Sequence, residues 1–543
     1  MTRRQTLALI ALGTAQFLMV LDTAVMNVSI STLVEDFDTT VSTIQGVITT
    51  YTLVMAALMI TGGKLGDMYG RKRVFAIGMV IYACGSALTA ASWSVGSLLV
   101  GWSFLEGTGA ALVMPAMAAL VAGNFKGRHR AFAYGVLGGL SGAGIAVGPI
   151  VGGWVTTNLS WRYVFVAEVV IALGILAMQG QVDEQPLEGK RPNLDVIGAI
   201  LSALGMILIV FGFLMASGWG WLHPVDPPFT VMGLSPVPFV VMSGLLVLAV
   251  FARWQNHREE QGEDPLIHLA NLKIPALRSA LITFLGNNTV LMGIFFALPL
   301  YLQIVLGLDA FETGLRMLPI SITMLISSML GPKLSARYSP RAIVMAGFSV
   351  MLVGAILLGS LIEPTLDSTA FFLTLGLIGI GMGLPASQLG NVALSSVDPE
   401  YRSEAGGLQY TSQQLGSSLG TAVIGSVVLA GLASALAREV TAHPSVSAET
   451  SQAISDKASK GVEFVPTDDV QALGEEAGLA TEEINGIIES YEAAQLFALQ
   501  TGITVVAFII IGVLFAARKL PSTPMLAPAD DSEDDPVPDP ASA

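Results

Sequence analysis

The chain has 543 residues, 53% of them hydrophobic and only 12% charged, with a mean hydropathy of +0.68. Soluble globular proteins carry about a quarter charged residues, so this composition excludes an ordinary cytosolic enzyme, a disordered chain and a disulfide scaffold, and marks a polytopic membrane protein. The net charge of −15 argues against nucleic-acid binding, and the single Cys84 cannot form an intramolecular disulfide.

A spanning helix needs roughly 20 apolar residues. Fourteen such runs are expected, near 7–31, 45–63, 74–93, 96–119, 131–155, 163–181, 195–216, 236–253, 279–304, 313–332, 342–362, 370–394, 408–433 and 495–516. Arg3 and Arg4 before the first run suggest a signal peptide or twin-arginine signal, but the run continues past any cleavage point and carries an acidic motif, so it is read as a span. With the N-terminus inside, 21 Lys and Arg fall on cytoplasmic segments and 5 outside. The positive-inside rule then puts both termini in the cytoplasm of a plasma (inner) membrane.

Lys64, Leu65, Tyr69 and Lys72 after the second run recur at the same spacing as Lys333, Leu334, Tyr338 and Arg341 after the tenth. Spans 1–6 and 9–14 therefore read as parallel halves with spans 7–8 inserted. The expected organisation is an N-terminal six-helix half (1–181), two inserted helices with cytoplasmic linkers (182–278), a C-terminal six-helix half (279–516) and a disordered acidic cytoplasmic tail (517–543). An outer loop, 434–494, should carry short helices N-capped at Thr467 and Thr481. That loop holds twelve acidic and three basic residues, and the tail from Arg518 six and two, so the acidity belongs to two appendages. The outer loop is either simply solvated or a collar for cationic substrates.

Several residues could carry chemistry. Asp22, in Leu21–Val28, is a carboxylate about 15 residues into an apolar helix, where a charge is costly and marks function; Asn27 and Ser29 add polar groups. In the loop Gly63–Arg73, Gly63 and Gly70 permit a tight turn, and Asp67 sits among Lys64, Arg71, Lys72 and Arg73. Such a charge cluster can latch one state of a two-state transporter, or merely anchor the loop. Glu106 in span 4 and Glu168 in span 6 are further intramembrane carboxylates. An apolar site favours the neutral carboxyl, so proton binding near neutral pH becomes possible; bonding to a backbone or amide partner is the alternative. Gly144, Gly148 and Gly152 lie four apart in span 5, flanking Pro149 and Gly153, which suits close helix packing and a kink. The second half offers amides: Asn287, Asn288, Gln388, Asn391, Gln409, Gln413 and Gln414. The 22 Met residues could line an adaptable site or simply pack. There is no Walker A sequence, no His/Cys metal cluster and no nucleophile elbow.

These stretches resemble signatures of the major facilitator superfamily. Residues 63–72 are similar to G-x-L-x-D-x-x-G-R-[RK]. Residues 144–153 are similar to G-x-x-x-G-P-x-x-G-G of its proton-coupled drug antiporters. Residues 21–31 resemble L-D-x-T-V-x-N-V-A-L-P of the fourteen-span drug:proton antiporter family, with Ala24 for Thr and Ser31 for Pro. In span 4 the family pattern R-x-L-Q-G-x-G-A places Ser103 at the arginine and Glu106 at the glutamine, so the arginine often assigned to proton coupling is missing.

The resemblance implies an all-α polytopic membrane protein of major facilitator fold, with two six-helix parallel repeats plus two inserted helices. It implies a non-enzymatic secondary transporter, bacterial and monomeric, that exports amphipathic, often cationic drugs or toxic organic compounds in exchange for protons. The proton gradient is the energy source and no cofactor is expected. Asp22, Asn27, Glu106, Glu168, Asn287, Asn288, Gln409 and Gln413 are the candidates for the proton-coupling and substrate cavity, with the carboxylates facing a central cavity between the halves. Gly63, Asp67, Gly70, Arg71 and Lys72 are the candidates for a switch loop, and Gly144, Gly148, Pro149, Gly152 and Gly153 for an antiporter-type helix. Rival readings are a dedicated exporter of one endogenous metabolite, antibiotic or lipid, an uptake symporter, and a membrane sensor or scaffold using 434–494 as its ectodomain.

Overall fold

The structure, a computed structural model, describes residues 1–39, 41–184, 193–225, 227–366, 368–459, 462 and 464–523. The acidic run of the expected tail, beyond residue 523, lies outside the described residues. Lipid offers no partner to a backbone amide, so each crossing must close its hydrogen bonds internally as a helix. Among the described residues, fourteen helices are long and apolar enough to cross a bilayer. They are span 1 Arg3–Val28, span 2 Val41–Tyr69, span 3 Arg71–Ala90, span 4 Val95–Asn124, span 5 Gly127–Asn158, span 6 Arg162–Ala177 and span 7 Val196–Trp219. Span 8 Val237–Glu260, span 9 Pro275–Val305, span 10 Ala310–Ser335, span 11 Pro340–Ser360, span 12 Ser368–Ser395, span 13 Arg402–Ala442 and span 14 Thr481–Ala517 complete the set. An even number of crossings returns both ends to one side, called here the terminal face.

Local signals set the helix ends. Ser94 and Ser97 form a capping box at the start of span 4, and Asp309 and Glu312 form one at the start of span 10. Between spans 2 and 3 the chain reverses at Gly70 with φ +98°, a conformation that side chains oppose.

The halves share one packing plan. Span 1 packs on span 5, span 2 on span 4, and span 3 on spans 4 and 6. Eight spans later, span 9 packs on 13, span 10 on 12, and span 11 on 12 and 14. The halves meet where span 2 faces span 13 and where span 5 faces spans 10 and 12. The inserted pair lies along the first of these seams. Met206 and Val210 of span 7 and Leu248 of span 8 join Leu53 and Ala56 of span 2 and Leu415 of span 13 in one apolar cluster. Buried Asp195 ties the pair together, accepting hydrogen bonds from Gly198 N (2.9 Å), Trp254 Nε1 (3.0 Å) and Gln255 Nε2 (2.8 Å). Buried Glu404 at the start of span 13 accepts from His268 N at 2.8 Å and Asn271 Nδ2 at 3.4 Å, docking the linker that follows.

The opposite face differs from expectation in one respect. Spans 13 and 14 run on well beyond a bilayer's thickness, so much of 434–494 is their continuation, and the segment between them holds helices Ala448–Ser459 and Thr467–Glu476. Thr467 and Thr481 are the first residues of their helices, and neither helix has a side-chain cap; Thr481 opens span 14 itself. The segment is pinned to span 14. Val465 N donates to Tyr491 Oη at 2.9 Å, Gln495 Nε2 donates to Val465 O at 2.9 Å, and Ser447 N donates to Glu483 Oε1 at 2.9 Å.

Candidate functional site

Three spans of the N-terminal half bring the three intramembrane carboxylates together. Asp22 comes from span 1, Glu106 from span 4 and Glu168 from span 6, and one carboxylate oxygen of each lies within 4.8 Å of the other two. All three side chains are buried. Each has one oxygen satisfied: Trp102 Nε1 donates to Asp22 Oδ1 at 2.8 Å, Thr89 Oγ1 donates to Glu106 Oε1 at 2.9 Å, and Tyr82 Oη and Ser86 Oγ donate to Glu168 Oε2 at 3.1 and 3.2 Å. Asp22 Oδ2, Glu106 Oε2 and Glu168 Oε1 are buried with no hydrogen-bond partner among the described residues. The Trp102 ring is held by Tyr51 of span 2, stacked at 4.4 Å between centroids and 9° between planes. Glu106 closes a π-helical segment, Leu99–Glu106. Such segments locally widen a helix and often mark functional positions.

The group contains no His or Cys, so it lacks the nitrogen and sulfur ligands of a structural zinc site. No Lys or Arg bonds to these carboxylates among the described residues. Three like charges this close, shielded from water, cannot all persist.

This geometry corrects one expectation. The carboxylates do not line a cavity between the halves: among the described residues they are buried and bonded within the N-terminal half, by side chains of spans 3 and 4 with Tyr51 of span 2 beside Asp22. Ser103, at the position of the missing arginine, is buried and donates to Val47 O of span 2 at 2.7 Å. The neighbouring indole, not a cation, serves Asp22. Sequence reasoning missed Trp102, Tyr51, Tyr82, Ser86 and Thr89. A signal was present: Tyr82, Ser86 and Thr89 are spaced four and three apart, so they share one face of span 3.

The other candidates fall in separate places. Asn27 lies in span 1, but its side chain is outside the described residues. Asn287 and Gln409 are buried, and Asn287 Oδ1 and Gln409 Oε1 lack hydrogen-bond partners among the described residues. Asn288 turns back to Phe284 O at 3.0 Å, and Gln413 is half-buried. These amides sit on adjacent spans 9 and 13 of the other half, and span 13 packs against spans 2 and 4 at the seam. A polar link also missed from sequence crosses the seam: Gln16 of span 1 donates to Ser141 Oγ of span 5 at 2.9 Å and accepts from Tyr410 Oη of span 13 at 2.9 Å.

The expected loop Gly63–Arg73 is mostly helix, with Gly63–Tyr69 ending span 2, Gly70 alone making the turn and Arg71 opening span 3, and it ties the halves together at the terminal face. Arg71 pairs with Asp67 at 3.1 Å and donates across the seam to Ser403 Oγ at 2.8 Å and Pro399 O at 2.6 Å. Gly63 lets span 2 approach Ser403 and Gly407 of span 13. The Lys72 backbone N donates to Glu184 Oε1 at 3.3 Å. A second tie joins Arg130 Nε to Asn391 Oδ1 at 3.0 Å.

Span 5 is wedged between the halves through its glycines. Gly144, Gly148 and Gly152 face Val20, Ala24 and Val25 of span 1, where an added Cβ at Gly144 or Gly152 would lie 3.0–3.1 Å from a valine methyl. Gly138 faces Ala386 of span 12, and Gly139 and Gly142 face Leu325 and Met324 of span 10. Gly153 is half-buried, and the Pro149 side chain is outside the described residues.

Two six-helix halves with one packing plan, joined along a polar seam, are the architecture of a polytopic membrane transporter. The chain belongs to the Major Facilitator Superfamily, whose family model matches residues 12–218 and 196–421. It is 31% identical over 424 residues to the probable actinorhodin transporter of Streptomyces coelicolor, covering 76% of this chain and 70% of that protein. It is 31% identical over 443 residues to the puromycin resistance protein pur8 of Streptomyces alboniger, covering 80% and 84%. It is 27% identical over 428 residues to the multidrug efflux pump LfrA of Mycolicibacterium smegmatis, covering 79% and 81%. Among solved structures it is similar to the human organic anion transporter MFSD10, with a TM-score of 0.57 at 14% identity over 95% of this chain and 100% of that one.

Proposed function

We propose that this protein exports amphipathic organic compounds, cations among them, across a bacterial plasma membrane in exchange for protons, with both termini in the cytoplasm. The observation that carries the reading is the carboxylate triad: three oxygens within 4.8 Å, sealed from water and without a cation. Such a group must take up protons, and the number it holds changes with the pH on the side to which it opens. The relatives named for transport of, or resistance to, antibiotics support export, and the 21 to 5 distribution of Lys and Arg supports the orientation.

Because the triad is enclosed within one half, protons act through helix packing and not by touching substrate. Span 1 is the connecting element. Asp22 lies six residues, about 9 Å along the axis, from Gln16, which grips Tyr410 across the seam. The glycine face of span 5 rests on the same helix. Protonation loosens the tie between Asp22 and Trp102, frees span 1 to shift against spans 3, 4 and 6, and biases the seam between two arrangements, with the Arg71 latch holding one of them. The substrate seat lies at the seam, where amides such as Gln409 and Gln413 recognise polar groups without a fixed charge.

The test is ethidium efflux from membrane vesicles under an imposed pH gradient. Asp22→Asn, Glu106→Gln and Glu168→Gln should each impair proton-driven efflux; intact efflux in all three would sink the reading. A dedicated exporter of one antibiotic is the second reading, favoured by relatives named for single compounds. A substrate panel in the same vesicles separates the two.

A further inference from the structure

We propose that a groove between the start of span 9 and the end of span 14 binds an anionic phospholipid by its headgroup. The groove measures about 380 Å³ and is lined by Pro275, Arg278, Ser279, Ile282, Ala516 and Lys519. Span 9 begins at Pro275 and span 14 ends at Ala517, so the groove opens on the terminal face where both helices leave the bilayer.

Its chemistry is divided by depth. Ile282 is 51% exposed and faces lipid. Arg278 lies one turn from it on the same helix face, about 6 Å nearer the surface. Lys519 stands opposite, three residues beyond Ala516. Ser279 offers no donor, because its hydroxyl is turned back to Ala276 O at 3.1 Å. Recognition therefore falls to two cations above an apolar wall.

Several cations on this face are already engaged. Arg4 pairs with Asp183, Arg71 with Asp67, Arg258 with Glu263, and Arg130 bonds Asn391. Arg278 and Lys519 form no ion pair among the described residues. A phosphodiester fits between them: its charge meets the guanidinium and ammonium, and an acyl chain continues along Ile282 into the bilayer. A zwitterionic headgroup brings its own cation into the same space, so a net negative lipid is selected. Bound there, the lipid braces span 9 against span 14 within one half. This site is independent of the transport reading.

The test is native mass spectrometry of the full chain equilibrated with phosphatidylglycerol and phosphatidylcholine. The wild type should retain phosphatidylglycerol selectively. Arg278→Gln and Lys519→Gln should each lower retention about fivefold, and the double variant about thirtyfold. The charge-matched control Arg253→Gln with Arg337→Gln should leave it unchanged. Equal retention of the two lipids by the wild type, or unaltered retention in the double variant, overturns the proposal. Displacement by an equal concentration of inorganic phosphate would indicate a free-anion site and overturns the lipid assignment. Titrating the wild type with short-chain forms of both lipids decides the matter even where the variants do not fold.

Discussion

Trp102→Phe tests the acidic cluster beside Ser103, where this chain departs from its family's span-4 pattern. The substitution keeps an aromatic ring against Tyr51 but deletes the indole N–H that donates to Asp22 Oδ1, a bond of 2.8 Å in a fully buried site. A hydrogen bond to a charged acceptor is worth roughly 1.5–3 kcal/mol. Because the bond favours the ionised carboxylate, its loss makes the cluster hold its protons to higher pH. At about 1.4 kcal/mol per pH unit, the pH of half-maximal efflux should move up by about 1–2 units. The three carboxylates titrate as a group, so the shift belongs to the cluster and not to Asp22 alone. The assay is the initial rate of ethidium efflux from vesicles as a function of pH, with thermal melting to confirm folding. An unshifted profile, or one shifted to lower pH, would refute the reasoning.

Glu106→Gln should leave the fold intact or raise its melting temperature, because it removes one of three crowded carboxylates while Oε1 still accepts from Thr89, yet proton-driven efflux should be lost. A melting temperature several degrees lower would contradict this account. Arg71→Gln breaks the tie to Ser403 and Pro399; in a Cys84→Ala background, a cysteine placed at Met59, buried beneath Gly407, should become accessible to a thiol reagent applied from the terminal face. Tyr491→Phe removes the hydroxyl that links Val465 to span 14 and should cost about 1–2 kcal/mol locally. Limited proteolysis between residues 443 and 480 should accelerate while efflux persists.

Much of the architecture was legible in the sequence because the bilayer imposes a length and a polarity on every crossing. The fourteen apolar runs are fourteen helices, whose ends lie within seven residues of those expected except where spans 13 and 14 continue past the membrane. That continuation was hidden because the added turns are polar and helical without being apolar. The missed caps at Thr467 and Thr481 show the limit of local signals: a threonine before an acidic pair fits an N-cap or a first turn equally well.

The candidate site was legible as residues and illegible as a place. Sequence alone identified Asp22, Glu106 and Glu168, since a carboxylate within an apolar helix stands out whatever it faces. It could not show that they meet, because Asp22 and Glu106 are separated by 84 positions and Glu106 and Glu168 by 62. Nor could it show which way they point. In a soluble helix the polar face marks the outside, but in a membrane both lipid and protein interior are apolar, so the periodicity that would fix each helix's rotation is erased. Only the tertiary packing of spans 1, 3, 4 and 6 settled that the cluster is sealed inside one half, with Trp102 in place of a cation. The sequence determined which groups are costly in the membrane; the structure decided with whom they share that cost.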